Sequence, residues 1–442
     1  MAKTIFVCQE CGTTAPRWSG KCSGCGNWNT LIEEVKSGGS RAGSSVSARA
    51  TQKLADIPDT QAVGRLDTQV TELNKVFGGG IVPGSITLLA GEPGVGKSTL
   101  LLQLAANLAV NHKVLYVSGE ESLQQIKLRA ERLKLREVKL ELLAEIDIDT
   151  IAATLKHGQY DFVVIDSVQT MQTSELSASA GTVSQITAST HRLQSVAKAS
   201  QTAVLVVGHV TKEGNIAGPK ILEHLVDVVL YLEGERFGSF KLLRGVKNRY
   251  GSTHEVGIFE MEEGGMVPVD NPSARFLQER APGDGSVVLA TVEGTRALLV
   301  EVQALVSTSP FGYPKRTAAG FDLNRLNLLI AVLGQRAGIK LADKDVYINI
   351  VGGMKLVEPA ADLAVALAIA SAAKRQPLVD GLVVFGEVGL NGEIRSVSDT
   401  AKRVKEARKL KFKSALAPSG TNAEYIEAVV TLKEAIKRGL VS

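Results

Sequence analysis

The stretch Leu88–Thr99, LLAGEPGVGKST, constrains this chain more than any other. It fits G-x-x-x-x-G-K-[ST], with Gly91, Gly96, Lys97 and Ser98 at the fixed positions and Glu92, Pro93, Gly94 and Val95 between them. The apolar run Ile86–Ala90 ahead of it predicts a buried strand. The periodic run Thr99–Val110 behind it predicts an amphipathic helix. Strand, glycine-rich loop and helix start together make a phosphate cradle, because glycine lets the backbone N–H groups converge and the helix adds its positive dipole end. In that setting Lys97 is expected on the β/γ-phosphates and the Ser98 hydroxyl on Mg²⁺, with Thr99 beside it. A glycine-rich turn with a chance lysine is the alternative, and both spacing and flanks oppose it. The expectation is a chain that binds ATP and Mg²⁺.

Around this loop the pattern alternates strand and helix, which predicts an α/β fold with a parallel sheet covered on both faces. Val114–Ser118 reads as a strand ending in Gly119-Glu120-Glu121. A helix over 122–132 follows, then a strand near Leu140–Leu143. Phe162–Ile165 is an apolar strand ending in Asp166, and Ala203–Gly208 is another, ending at His209. Ligands of such sheets bind beyond the C-terminal strand ends, where Glu120, Asp166 and His209 all fall. Asp166 has the form of a carboxylate holding Mg²⁺, the alternative being a helix N-cap. Glu120 is expected as the base that orients the attacking water, with Glu121 as its rival. His209 is either a γ-phosphate contact or an ordinary loop histidine. Two polar segments, Thr170–Thr190 and Thr211–Pro219, are candidate loops for a polymeric substrate.

All four cysteines precede the nucleotide-binding region: Cys8, Cys11, Cys22 and Cys25, as two C-x-x-C pairs each followed by glycine. Four thiolates suit tetrahedral Zn²⁺, and a segment this short has no core to fold it otherwise. Two disulfides are the alternative, opposed by a reducing cytoplasm. Trp18, Trp28, Arg17 and Lys21 decorate this finger, either to stack on bases or to cover the metal. Lys36–Ala50, rich in Ser, Gly and Ala, reads as a flexible linker. The expected domains are a zinc finger over 1–32, a linker over 33–56, an ATPase domain over 57–272 and a further domain over 285–442. A net charge of +4 permits nucleic-acid binding without requiring it. No run reaches transmembrane length and the N-terminus has no signal-peptide core, so a cytoplasmic protein without a membrane partner is expected.

With these motifs in place, the chain resembles the RadA (Sms) family of bacterial DNA-repair and recombination ATPases over essentially its whole length. The resemblance rests on CQECG…CSGCGNW, GEPGVGKSTLLLQ, YVSGEES and Lys247–Gly251, KNRYG, where Tyr250 stands in place of the family's phenylalanine. By composition alone, Lys-Asn-Arg after the apolar strand Phe240–Leu243 reads as a solvated turn. The resemblance implies a RecA-like core, and Lys247 and Arg249 as cationic fingers reaching a neighbouring subunit's ATP. It also implies a ring, expected to be hexameric, on single-stranded and branched DNA, driving branch migration together with the RecA recombinase.

The C-terminal part, in which Val383–Val388 reads as a strand, is similar to the proteolytic domain of Lon. The Ser–Lys dyad of that domain is a two-residue variant of the hydrolase triad. Ala360 stands in the serine's place within EPAA and Arg395 in the lysine's within VGLNGEIR. Alanine supplies no nucleophile and arginine no base, so no peptidase activity is expected. The domain is expected to be a scaffold for oligomerisation, with Lys315, Arg316, Lys340, Lys344, Lys402, Arg403 and Lys405 as candidates to line a DNA path. The leading reading is a DNA-dependent motor ATPase of recombinational repair. The alternatives are an ATP-dependent protease or unfoldase, and a non-catalytic ATP-switched scaffold.

Overall fold

The computed structural model describes residues 3–36, 51, 53, 64–135, 138–209, 221–234, 239–310, 313–419 and 424–441. Most of the expected linker, the candidate loop at 211–219 and the side chain of His209 lie outside them. The chain divides into two compact units, with the main boundary between Pro268 and Val269.

The first unit opens with a small antiparallel sheet, β1 (Lys3–Cys8), β2 (Thr14–Ala15) and β3 (Leu31–Lys36), in the order β2-β1-β3. Its apolar cluster is small: Cys8, Cys22 and Leu31 are buried, with Phe6, Cys11 and Ala15 packed beside them. That is too little apolar area to hold a fold without a further cross-link.

The rest of this unit is a sheet flanked by helices. In chain order it contains α1 (Thr71–Phe77), β4 (Ile86–Gly91), α2 (Lys97–Leu108), β5 (Val114–Ser118), α3 (Leu123–Arg132), β6 (Glu141–Ala144) and α4 (Ile148–Gly158). Then come β7 (Phe162–Asp166), α5 (Val183–Ser200), β8 (Ala203–His209), α6 (Ile221–Leu225), β9 (Val228–Glu233), β10 (Phe240–Asn248), β11 (Val256–Glu262) and β12 (Gly265–Pro268). The described strands order as β12-β11-β10-β9-β4-β8-β7-β5-β6. From β9 to β6 every pairing is parallel. β4, β5 and β7 are buried along their whole length, as strands covered on both faces must be. One face is packed by α2 and α3 side chains such as Leu101, Leu104 and Ile126, the other by α4 and α5 side chains such as Ile151, Leu155 and Leu193. Ser122 caps α3 in a reciprocal capping box with Gln125, and Asp147 caps α4.

The strands expected to pair in parallel do so, and at one end the sheet continues with antiparallel strands. β9 pairs antiparallel with β10, with a register shift between Gly245 and Lys247, and β11 pairs antiparallel with β12. Short connections permit only antiparallel neighbours, whereas parallel ones need a crossover. Lys247 and Asn248 therefore end a strand rather than forming a turn.

The second unit holds α7 (Pro272–Leu277), the hairpin β13 (Ser286–Glu293) and β14 (Arg296–Thr308), β15 (Arg316–Ala319), α8 (Leu323–Ala337), β16 (Lys344–Ile350) and α9 (Asp362–Lys374). It ends with β17 (Leu382–Val384), β18 (Glu387–Val388), β19 (Ile394–Arg395), α10 (Thr400–Lys409), β20 (Ser414–Ala417), β21 (Ile426–Ala428) and α11 (Leu432–Gly439). The main sheet runs β15-β16-β14-β13-β17-β20-β21. The single strand expected over Val383–Val388 is in fact two: β17 joins this sheet, while β18 leaves it to pair with β19. Gly386 lies between them, its N–H donating to Ala360 O and its carbonyl accepting from Leu363 N–H, so the chain turns there onto the start of α9. Among the described residues no helix is long and apolar enough to cross a membrane.

Candidate active site and metal centre

Lys97, Ser98 and Thr99 already belong to α2, which begins directly on the glycine loop. Gly94 (φ +83°) and Gly96 (φ +110°) take left-handed conformations that a side chain resists. Lys97 is buried, and its Nζ donates to the carbonyls of Gly91 at 2.7 Å and Glu92 at 3.1 Å. Burial pulls its ammonium below the ordinary lysine value, while the charges of Asp166 and Glu120 push it back up. The cation is thus held within the loop under the influence of two carboxylates from neighbouring strand ends.

Those carboxylates sit at the ends of two adjacent strands, Asp166 as the last residue of β7 and Glu120 two residues beyond β5, where Ser118 pairs with Asp166. The Asp166 carboxylate is buried and accepts from the Tyr116 hydroxyl at 2.5 Å. It caps no helix: Ser167 occupies the N-cap of the turn over Val168–Thr170. The Tyr116 hydroxyl is pushed well above the ordinary tyrosine value, first by burial and then by the charge of Asp166, so it stays a donor. Glu120 accepts from the Ser167 hydroxyl at 2.6 Å, which ties the end of β5 to the end of β7. Its rival Glu121 is instead paired with Arg129 of α3 at 2.5 Å. In the backbone His209 pairs with Gly91 at the first residue of the loop.

Lys247 and Arg249 form a separate grouping. Lys247 Nζ donates to the carbonyls of Glu223 at 2.6 Å and Val226 at 2.8 Å. Burial, and then the neighbouring Arg249, hold its ammonium below the ordinary value. Arg249 pairs with Asp227 at 3.0 Å; its side chain is 54% exposed and that of Asp227 only 4%.

In the N-terminal module the four thiols converge. Cys8 and Cys25 Sγ are 3.7 Å apart, Cys11 and Cys22 Sγ 3.5 Å, and all four lie within 4.8 Å of one another. Zn–S bonds of about 2.3 Å in a tetrahedron require sulfur separations of about 3.8 Å, so the donor set fits zinc. No disulfide links them.

The chain is 48% identical to DNA repair protein RadA of Bacillus subtilis, with all of both chains covered. It is 49% identical to DNA repair protein RadA of Pseudomonas aeruginosa, over 95% of this chain and 93% of that one. The chain belongs to the RadA family of DNA repair proteins. Within this RadA-family chain, an AAA domain model matches residues 51–215, a rubredoxin metal binding domain model residues 6–33, and a model of subunit ChlI of Mg-chelatase residues 317–421. Among solved structures, the RadB recombinase aligns with 46% of the chain and all of its own length, at 21% identity and a TM-score of 0.38. The chain thus combines a zinc ribbon, an AAA-type P-loop ATPase core and a ChlI-like C-terminal domain, with Zn²⁺, ATP and Mg²⁺ as its cofactors.

In the Lon-like unit, Ala360 is buried in the short turn over Pro359–Ala361 just before α9, and Arg395 is exposed and paired with Glu393 at 2.6 Å. One candidate for a DNA path is corrected here. Arg403 is fully buried, its guanidinium gripping both oxygens of Glu358 and the carbonyl of Ala290 at 2.6 Å, so it has no surface to offer. Sequence reasoning also missed Tyr116, Ser167 and Asp227, the groups that orient the candidate side chains. A tyrosine inside an otherwise aliphatic buried strand was the one available signal, because a buried hydroxyl needs a partner.

Proposed function

We propose that this chain is a DNA-stimulated ATPase of recombinational repair that moves along single-stranded and branched DNA as a ring, hexameric in the reading we favour. In that reading it acts with the RecA recombinase in branch migration. A role in DNA repair and the hydrolysis of ATP follow from membership of the family; the motor, the ring and the partner are our reading. The observation that supports it best is the convergence of Lys97, Asp166 and Glu120 at the strand ends beside the glycine loop.

In the mechanism, Gly91–Thr99 bind the triphosphate and Lys97 neutralises its β/γ end. Ser98 and Asp166 would hold Mg²⁺, which would supply charge stabilisation on the phosphate oxygens. Tyr116 fixes the Asp166 carboxylate, and Ser167 fixes that of Glu120 so that it orients and deprotonates the attacking water. His209 is assigned to sensing the γ-phosphate. Lys247 and Arg249 act on the adjacent subunit's nucleotide, where a cation stabilises the charge that develops on transfer. The C-terminal unit is a scaffold without peptidase chemistry, since a methyl group and a permanently charged guanidinium stand where a nucleophile and base are required.

The test is ATP hydrolysis with and without single-stranded DNA, in the wild type and in Lys97→Ala. DNA should raise turnover, and Lys97→Ala should abolish both turnover and branch migration. A Lys97→Ala protein that migrates branches at the normal rate would overturn the motor reading, and casein breakdown with ATP would overturn the peptidase assignment.

A further inference from the structure

Both tryptophans of the chain lie in the zinc ribbon, and neither covers the metal. Trp18 is 58% exposed and Trp28 70%, while the packing beside the thiols comes from Leu31, Phe6 and Ala15. Trp28 is fixed by the hairpin of the second cysteine pair. Lys21 and Trp28 form an antiparallel bridge, Cys22 N–H donates to Asn27 O at 2.9 Å, and Asn29 N–H donates to Gly20 O at 2.8 Å. The two indoles border one spot: a Cβ at Gly20 would lie 3.5 Å from Cζ3 of Trp28 and 3.9 Å from Cη2 of Trp18. Lys21 Nζ is 5.9 Å from the centroid of a Trp28 ring, and Arg17 is exposed next to Trp18.

Two bare indoles of this size are costly to leave in water, so their use must lie in what they contact. Beside them in sequence stand the polar residues Arg17, Ser19, Lys21, Asn27 and Asn29, with the non-polar Pro16 and Gly20 flanking Trp18. Flat aromatic faces beside cations are the combination that holds unpaired bases by stacking and phosphates by charge.

We propose that Trp18 and Trp28, with Arg17 and Lys21, form a stacking platform for single-stranded DNA outside the ATPase site. This rests on the DNA-binding part of the proposed function.

Because the chain has two tryptophans, both on this surface, the intrinsic emission of the full-length, zinc-loaded protein reports on it alone. Emission should be strongly quenched by oligo(dT) in the absence of nucleotide. Trp28→Ala and Trp18→Ala should each weaken oligo(dT) binding about tenfold by anisotropy of the labelled strand. The phenylalanine variants, which keep a π face, should recover part of that loss, and zinc content should match the wild type throughout. Unquenched emission and wild-type affinity in Trp28→Ala, while the labelled strand binds, would overturn the platform and leave the proposed function standing. Failure of the labelled strand to bind the full chain at all would overturn both. Emission indifferent to oligo(dT) but shifted by purified RecA would assign the surface to a protein and overturn the proposal.

Discussion

Tyr116→Phe isolates one hydrogen bond at the heart of the candidate site. The ring is fully buried on the α2 side of the sheet, and its hydroxyl reaches the Asp166 carboxylate at 2.5 Å. Phenylalanine keeps the ring and its packing, so no cavity larger than a hydroxyl results. A hydrogen bond to a charged acceptor contributes about 1.5–3 kcal/mol. Taking the lower figure, the ATPase unit should melt about 3–6 °C earlier. The carboxylate loses its fixed orientation, and about 1.4 kcal/mol of misalignment raises the Mg²⁺ concentration for half-maximal hydrolysis about tenfold. The assay is ATP turnover against Mg²⁺ beside a thermal melt, with Asp166→Asn as the inactive reference. Because the hydroxyl is held protonated by burial and by Asp166, the defect should not vary across neutral pH. A variant with wild-type Mg²⁺ dependence and an unchanged melt, beside a dead Asp166→Asn, would refute the claim that Tyr116 positions the metal ligand.

Further outcomes follow from the other contacts. Glu120→Gln should lower kcat by about 10²–10⁴ with nucleotide binding retained, whereas Glu121→Gln, already engaged with Arg129, should stay within a few-fold; equal losses would undo the choice between them. Arg249→Ala should cut kcat by about 10³ with ATP affinity little changed, and mixing it with Lys97→Ala subunits should restore turnover; full activity in an isolated subunit would exclude action in trans. Removing zinc should unfold residues 6–33, read by tryptophan emission, and leave nucleotide binding intact; loss of nucleotide binding would show the two to be coupled. Arg403→Met should destabilise the second unit by about 3 kcal/mol in a denaturant titration, because it removes the charged partner of the Glu358 carboxylate; a change smaller than about 1 kcal/mol would mean that the Thr291 hydroxyl, the Val292 N–H and water suffice for Glu358.

The parts of this molecule legible in sequence were those fixed by local chemistry. The phosphate loop needs glycines at set spacings, the metal centre needs two C-x-x-C turns, and buried parallel strands need unbroken apolar runs; all of these are written within short windows. What escaped was set by pairing at long range. Nothing near Phe240 announces that β10 turns the sheet antiparallel, and nothing near Val383 announces that Gly386 splits one apolar run between two sheets. Arg403 read as one more cation on a charged helix, because its partner Glu358 lies 45 residues away. Ser167 was overlooked because its value lies in reaching Glu120, 47 residues earlier. Periodicity identifies a face, but only the assembled sheet decides which polar groups meet across it.

Asp227 gives the clearest case of such a long-range link, and it bears on how the proposed trans-acting cations are controlled. One carboxylate oxygen accepts from the N–H of Ile86, the first residue of the strand that carries the phosphate loop. The other holds Arg249. A single buried carboxylate therefore connects the start of β4 to the stretch assigned to a neighbouring subunit's nucleotide. Releasing Arg249 leaves that carboxylate, in a dry site, with the uncharged donors Ile86 N–H and the Tyr250 hydroxyl, which is costly, whereas the exposed guanidinium itself loses little. The arginine is thus held against its own chain until a stronger anion competes for it. A triphosphate on an adjacent subunit is such an anion. On this reading the ion pair makes engagement of Arg249 depend on a loaded neighbour, and Asp227→Asn, which weakens the hold while keeping the bond to Ile86, should raise basal turnover in the assembled protein. An unchanged basal rate would show that Asp227 only braces the strand.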